Sequence, residues 1–116
     1  ALQTDVAAVR LWASVSLAEA GVTSAAKADP AAGQLLISLR IDSQSVVRSN
    51  CIWALGRLLE HLVEPRRLEV IEMFVRALLH DRERSVRDEA RTALEQMESP
   101  DVLDRLQTLM DEGLFS

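Results

Sequence analysis

The sequence has few of the residues that interrupt helices or build disulfide frameworks. It contains one cysteine, three prolines, four glycines and no tyrosine in 116 residues. A single cysteine cannot form an internal disulfide, which excludes a disulfide-stapled scaffold. No apolar run approaches the roughly 20 residues of a membrane-spanning helix, and the chain does not start with a signal-peptide pattern. These absences predict a helical, cytoplasmic protein with no membrane partner.

The charge and the missing motifs exclude further classes. A net charge of −5 argues against nucleic acid, because a phosphate backbone binds basic surfaces. The sequence has no glycine-rich phosphate loop, no G-x-S-x-G and no H-E-x-x-H. Its strongest metal ligands are His61, His80 and Cys51, and no two of them have the spacing of a zinc site. We therefore expect no enzyme activity, no metal and no cofactor.

A short pattern that occurs more than once is the strongest positive signal. It begins at Val47 and again at Val86, and a fainter copy begins at Val9. Each copy reads Val-Arg, two variable residues, a small residue, two variable residues, a second small residue and Leu. An aspartate precedes the two clearer copies, at Asp42 and Asp81. Repetition of one unit along a chain predicts a stacked array of similar structural elements.

Capping residues and prolines divide the chain into helices. Asp29-Pro30 and Ser99-Pro100 each place a capping residue before a proline at the first helical position. Ser45 and Ser85 are the expected caps of the Val-Arg helices, and Gly113 suits a helix end. About six helices are predicted, near 4–20, 30–40, 45–62, 65–80, 84–98 and 100–112. They form a single domain, 1–116, made of a partial repeat 1–20, repeats 30–62 and 65–98, and a partial repeat 99–116.

The recurrent apolar positions lie on one side of each Val-Arg helix. In the second copy they span less than a third of a helical turn, which predicts a buried seam. These positions are Val47, Cys51, Ala54, Leu55 and Leu58. Cys51 is thus expected to act as a small buried residue. The intervening helices supply the other wall of the core through Leu35, Leu36, Leu39, Leu68, Ile71, Val75, Leu78, Leu103, Leu106 and Leu109.

These residues carry a family resemblance. Leu78-Leu79-His80-Asp81 through Leu94, and less closely Leu39 through Leu55, resemble the HEAT repeat and in particular the short variant named after phycobilisome lyases. The resemblance implies an all-α, right-handed α-solenoid of antiparallel helix pairs whose second helices line a concave face. It also implies a structural polar ladder between adjacent repeats, formed by Asp42, Arg48, Asp81 and Arg87.

The side of each Val-Arg helix opposite the seam is the candidate binding surface. Both tryptophans, Trp12 and Trp53, fall there, at positions that are mostly polar in the other copies. Trp and Arg are frequent anchors of protein interfaces. The candidate partner-binding residues are Trp12, Trp53, Arg57, Asn50 and Glu89. In the alternative interpretation each tryptophan only covers a local groove between helices.

Two functions remain open. The first is a non-enzymatic protein–protein interaction or scaffold module that uses the concave face. The second, which the resemblance alone implies, is an accessory or subunit of a bilin lyase-type system that handles phycobiliprotein chromophores. The ends of the array carry apolar residues, so we expect either a piece of a longer solenoid or ends that pack on another protein or on a second copy in a homo-oligomer. These residues are Leu2, Val6, Leu11, Trp12, Val102, Met110, Leu114 and Phe115.

Overall fold

The computed structural model describes residues 12, 13, 15, 16, 18, 19 and 25–113. Five complete helices lie in the described part: α1 (Ala25–Ile41), α2 (Ser45–Leu58), α3 (Arg66–His80), α4 (Arg84–Gln96) and α5 (Pro100–Asp111). A 3₁₀ helix, Leu59–His61, continues α2. The described residues of the predicted helix 4–20 are also helical, and none of the residues that the structure describes forms a strand.

The helices pack as two rows. Helix α1 packs along α2, and α3 packs along α4, so that each sequence-adjacent pair forms a hairpin. Helix α2 also packs extensively against α4, whereas α1 and α3 touch less. Helix α5 follows and contacts α4. This is the architecture of an α-solenoid, and the prediction of an all-α solenoid of helix pairs is confirmed. Every helix described is too short or too polar to cross a bilayer.

The core lies between the two rows of helices. All five predicted seam residues of α2 are buried, and Val86, Ala90 and Leu94 occupy the matching positions of α4. From the other row, α1 contributes Leu35 among others, and α3 contributes Phe74. The seam residues recur at helical spacing, so each Val-Arg helix has one apolar stripe. Each copy buries this stripe against the neighbouring hairpin, and the copies therefore stack in the same way.

Helix α1 begins earlier than predicted. The sequence predicted a helix from Pro30, with Asp29 as its cap, but the helix starts at Ala25 and contains Pro30. The alanines before and after the proline favour helix, and Ala28 is buried in the core. A proline at this position removes the hydrogen bond to the carbonyl of Ala26. Ala26 is exposed, so that carbonyl can be solvated, and the proline is tolerated.

Two predicted helix ends and both predicted serine caps are also wrong. The predicted helix 84–98 ends at Gln96 because Glu98 adopts a left-handed conformation, with φ of 53°. The predicted helix 45–62 is α-helical only to Leu58 before it tightens into the 3₁₀ helix. Gln44 and Glu83, instead of Ser45 and Ser85, hold the N-cap positions. Gly113, with φ of 71°, follows α5 as predicted.

Two leucines that were predicted to belong to the other wall of the core do not lie in it. Leu68 and Leu103 are exposed, whereas the remaining leucines of the prediction are buried or half-buried. The buried stripe of α3 runs through Val70, Phe74 and Leu78. Leu68 lies at the margin of this stripe, in the first turn of the helix. Phe74, which the sequence analysis did not place in the wall, is the largest fully buried side chain among those described.

Candidate functional site

A buried ion pair joins the turns that precede α2 and α4. Arg48, at the start of α2, donates from Nε to Asp81 Oδ2 at 3.0 Å and from Nη2 to Asp81 Oδ1 at 3.1 Å. Its remaining nitrogen, Nη1, donates to the backbone carbonyl of Asp42 at 2.9 Å. The side chains of Arg48 and Asp81 are 7% and 11% exposed. One guanidinium therefore connects two successive turns of the array.

The two aspartates repeat the same local geometry. Asp42 Oδ1 accepts the Gln44 backbone N–H at 2.9 Å, and Asp81 Oδ1 accepts that of Glu83 at 3.0 Å. Each side chain thus folds over its own turn and satisfies a backbone donor at the start of the next helix. Arg87 Nη1 donates to the Asp81 carbonyl at 2.7 Å, as Arg48 does to that of Asp42. The structure joins Asp42, Arg48, Asp81 and Arg87 in one network.

The chemistry of this network is structural. Burial acts to raise the pKa of Asp81, but the hydrogen bonds from Arg48 and from the Glu83 backbone, together with the charges of Arg48 and Arg82, outweigh it and hold the pKa below its usual range. A carboxylate that is ionised and occupied by three donors is a poor general base. The network braces adjacent repeats.

Cys51 is buried in the seam of α2, as predicted for a small core residue. Burial, aided by the nearby charge of Asp42, raises the pKa of its thiol to about 12. The thiol is therefore protonated at neutral pH, and the thiolate is the nucleophilic and metal-binding form. Among the residues described, no three His, Cys, Asp or Glu side chains are grouped so that they could hold a metal ion.

A groove between α2 and α4 is the candidate binding site. It has a volume of about 520 Å³. Side chains from α2 and the following 3₁₀ helix form one wall, α4 forms the other, and Arg67 from the start of α3 also lines the groove. The lining residues are Ile52, Trp53, Gly56, Arg57, Leu59, Glu60, Arg67, Glu89, Thr92, Ala93, Gln96 and Met97. The lining includes residues opposite the buried seam, such as Trp53 and Gln96, and also Ala93 and Met97, the α4 residues at two seam positions.

Trp53 is held in the α2 wall by its charged neighbour. The Arg57 guanidinium carbon lies over the Trp53 ring, 5.3 Å from its centroid. Arg57 Nη2 lies 3.5 Å from Glu19 Oε1, which ties the wall to the helical segment that precedes α1. Trp53 keeps 38% of its surface exposed. A large aromatic ring thus packs against Arg57, lines the groove and keeps part of its surface exposed.

The structure brings together three of the five predicted binding residues. Trp53, Arg57 and Glu89 line the same groove. Asn50 is half-buried and does not line it, and Trp12, 73% exposed, lies outside it.

The sequence analysis missed other residues that line the groove. Arg67 comes from the other row of helices, so the repeat pattern of the Val-Arg helices could not reveal it. Glu60 and Gln96 fall at positions opposite the seam, and this signal was available in the sequence.

The apolar residues predicted at the ends of the array are only partly described. Trp12 and Met110 are exposed, and Val102 is half-buried. Leu2, Val6, Leu11, Leu114 and Phe115 lie outside the described residues. A homo-oligomer formed through these ends stays a prediction.

Comparison with known proteins identifies one family. The family model described as HEAT repeats matches residues 34–114, which is most of the chain. It covers both clear copies of the Val-Arg pattern and all the residues that line the groove. No curated protein and no solved structure matches the chain. The match does not separate the lyase-type variant from other HEAT repeats, so that finer assignment and a role with bilins stay predictions.

Proposed function

The chain belongs to the HEAT-repeat family, and from this premise we propose that it is a non-enzymatic protein-binding module that holds its partner in the groove between α2 and α4. The observation that carries the proposal is the partly exposed ring of Trp53 in the wall of that groove. HEAT repeats commonly serve as scaffolds for protein interactions. The groove offers the residue types that such interfaces use as anchors.

The local packing supports a role for Trp53 as an anchor. Arg57 over the ring and Glu19 beside Arg57 restrict the side chain before a partner arrives. A side chain that is already ordered loses little conformational entropy on binding, which leaves more of its contact energy for affinity. Ala93 and Met97, both half-buried, add apolar surface to the same groove. This combination suits the insertion of a side chain from a partner.

We expect Trp53→Ala to weaken partner binding about thirty-fold, since loss of a central aromatic anchor costs about 2 kcal/mol. The partner is first identified by photocrosslinking in the native host from a benzophenone amino acid placed at Thr92, which is exposed in the groove. Its dissociation constant is then measured by calorimetry against the wild-type chain and the variant. A crosslinker at Thr108, exposed on α5 and outside the groove, is the control for random capture.

The matched control for affinity is Leu68→Ala, which removes an exposed apolar side chain from α3 and should leave binding unchanged. Each variant is also melted by circular dichroism. A Trp53→Ala chain that loses stability but binds the partner as the wild type does would show that the tryptophan only covers a gap between helices, and the proposal would be wrong.

A further inference from the structure

We propose that the groove recognises a lysine or arginine side chain of its partner, and that Glu89 pairs with this cation beside Trp53. The inference rests on the proposed function and names the chemistry of the partner at that site. It starts from the charged side chains that line the groove. These are Arg57, Glu60, Arg67 and Glu89.

Two of the four charged residues, both arginines, already have ionic neighbours. Arg57 lies beside Glu19, at 3.5 Å, and Arg67 Nη1 lies 3.7 Å from Glu64 Oε1. The Glu60 side chain is 81% exposed, so water solvates and screens its carboxylate. The charges of the two arginines are at least partly balanced within the chain. A partner gains less from pairing with them, because it must compete with a neighbour that is already present.

Glu89 differs from the other three. Within the described part of the chain it takes part in no ion pair and no hydrogen bond of its side chain. It is also half-buried and lines the same groove as Trp53. A partly desolvated carboxylate attracts a cation more strongly than an exposed one, because the local dielectric constant is lower. With the two arginines partly balanced, the carboxylates of Glu60 and Glu89 leave the unbalanced charge of the groove negative.

The apolar surface of the groove fits the rest of such a side chain. Lysine and arginine carry three or four methylene groups that pack on apolar surfaces while the charged head reaches a polar partner. Ala93 and Met97, both half-buried, line the same groove as Glu89 and can contact that stem. An arginine head can also stack on the open part of the Trp53 ring.

The net charge of the whole chain also favours a basic partner. A net charge of −5 favours encounters with basic segments and disfavours acidic ones. An acidic side chain beside Glu89 would be repelled, and Arg57 and Arg67 already lie next to carboxylates of the chain itself. We therefore assign the groove to a basic segment of a protein partner.

The test is selection of random displayed peptides on four forms of the purified chain: wild type, Glu89→Lys, Asp104→Lys and Trp53→Ala. Asp104 is exposed on α5, away from the groove, so its replacement makes the same change of charge elsewhere. We expect wild type and Asp104→Lys to enrich peptides with a fixed Lys or Arg. Glu89→Lys should lose that preference and enrich Asp or Glu. Trp53→Ala should lose the enriched peptides.

A direct measurement accompanies the selection. The strongest wild-type peptide should bind Glu89→Gln about tenfold more weakly, and changing its fixed basic residue to Gln should weaken binding to the wild type by a similar factor. The two changes together should cost little more than either alone, because both remove the same ion pair.

The outcomes separate the two proposals. If the selected peptides require Trp53 but are equally basic on wild type and Glu89→Lys, the assignment of a cation to Glu89 is wrong and the protein-binding function stands. If no peptide is enriched, or none depends on Trp53, the groove is not the binding site and both proposals are overturned.

Discussion

Replacing Asp81 by alanine is expected to lower the free energy of unfolding by about 3 to 5 kcal/mol. The change leaves the Arg48 guanidinium, whose side chain is 7% exposed, without its carboxylate partner. A buried charge that loses its partner keeps its desolvation cost and loses the attraction that offset it. The variant also loses the hydrogen bond to the Glu83 backbone. Urea denaturation followed by circular dichroism measures the loss.

Two further variants test whether the loss of stability in Asp81→Ala comes from the burial of its ion pair. Glu72→Ala removes an ion pair of α3 with Arg105 of α5, whose side chains are about half exposed, and should cost less than about 1 kcal/mol. Adding Arg48→Met to Asp81→Ala removes the stranded charge and should recover part of the stability. If Asp81→Ala and Glu72→Ala cost the same, the pair at Arg48 contributes no more than a surface contact.

The same ion pair predicts how stability depends on pH. The pKa of Asp81 in the folded chain lies below its usual value, which is about 3.9 in an unfolded chain. The contribution of Asp81 to stability is therefore complete above about pH 4 and is lost as the pH falls through the lower folded value. In the variant Asp81→Asn this part of the acid dependence should be absent. Denaturation midpoints between neutral pH and about pH 3 compare the two chains, and parallel profiles would contradict the assignment.

The sequence could predict the parts of the fold that recur. Val47, Leu55 and Leu58 lie at helical spacing on one side of α2, and a residue at such a position is buried wherever the helix packs on its neighbours. Asp81 and Arg48 belong to adjacent copies of one pattern, in which an aspartate stands six residues before the arginine, and stacking the copies brings them together. Repetition thus carries information about contacts between residues that are far apart in sequence.

The contacts outside the repeated pattern could not be predicted in this way. Asp29 of α1 accepts from Arg66 of α3 at 3.0 Å, and Arg105 of α5 pairs with Glu72 of α3. Both pairs join helices of the row that lacks the Val-Arg pattern. Which long side chains meet there depends on how far successive helices shift along each other, and a single sequence does not reveal that shift. The position of Arg67 at the groove could not be predicted for the same reason, because it also depends on how the helices shift along each other.

Comparison of α2 with α4 shows how a repeat changes with its neighbours. Ile52 of α2 is fully buried and lines the groove toward α4, whereas the matching position of α4 is Arg91. On this side of α4, Arg91 pairs with Glu95 at 2.8 Å, and Arg84 lies 3.8 Å from Asp88. Such pairs suit a solvated helix face. This face of α4 is therefore polar and solvated, whereas the matching face of α2 is apolar at Ile52 and packs inside the protein.

Phe74→Ala is expected to destabilise the chain by about 3 to 5 kcal/mol. The ring has 0% exposure and belongs to the one core that both rows share. Truncation removes most of its buried apolar surface and leaves a cavity that helices braced on both sides can close only in part. A protein of this size has a free energy of unfolding of about 5 to 15 kcal/mol, so the variant loses a large share of it. Urea denaturation at neutral pH measures this change.

Leu68→Ala supplies the control within the same helix. The sequence assigned Leu68 to the core wall and did not include Phe74, whereas Leu68 is 53% exposed. Its removal should change the free energy of unfolding by less than about 1 kcal/mol, because the side chain leaves little cavity behind. Both variants place alanine in α3, so differences in helix propensity between them are small. If Leu68→Ala proved as costly as Phe74→Ala, the buried stripe of α3 would run along the face that periodicity first indicated, and the packing of α3 described above would be wrong.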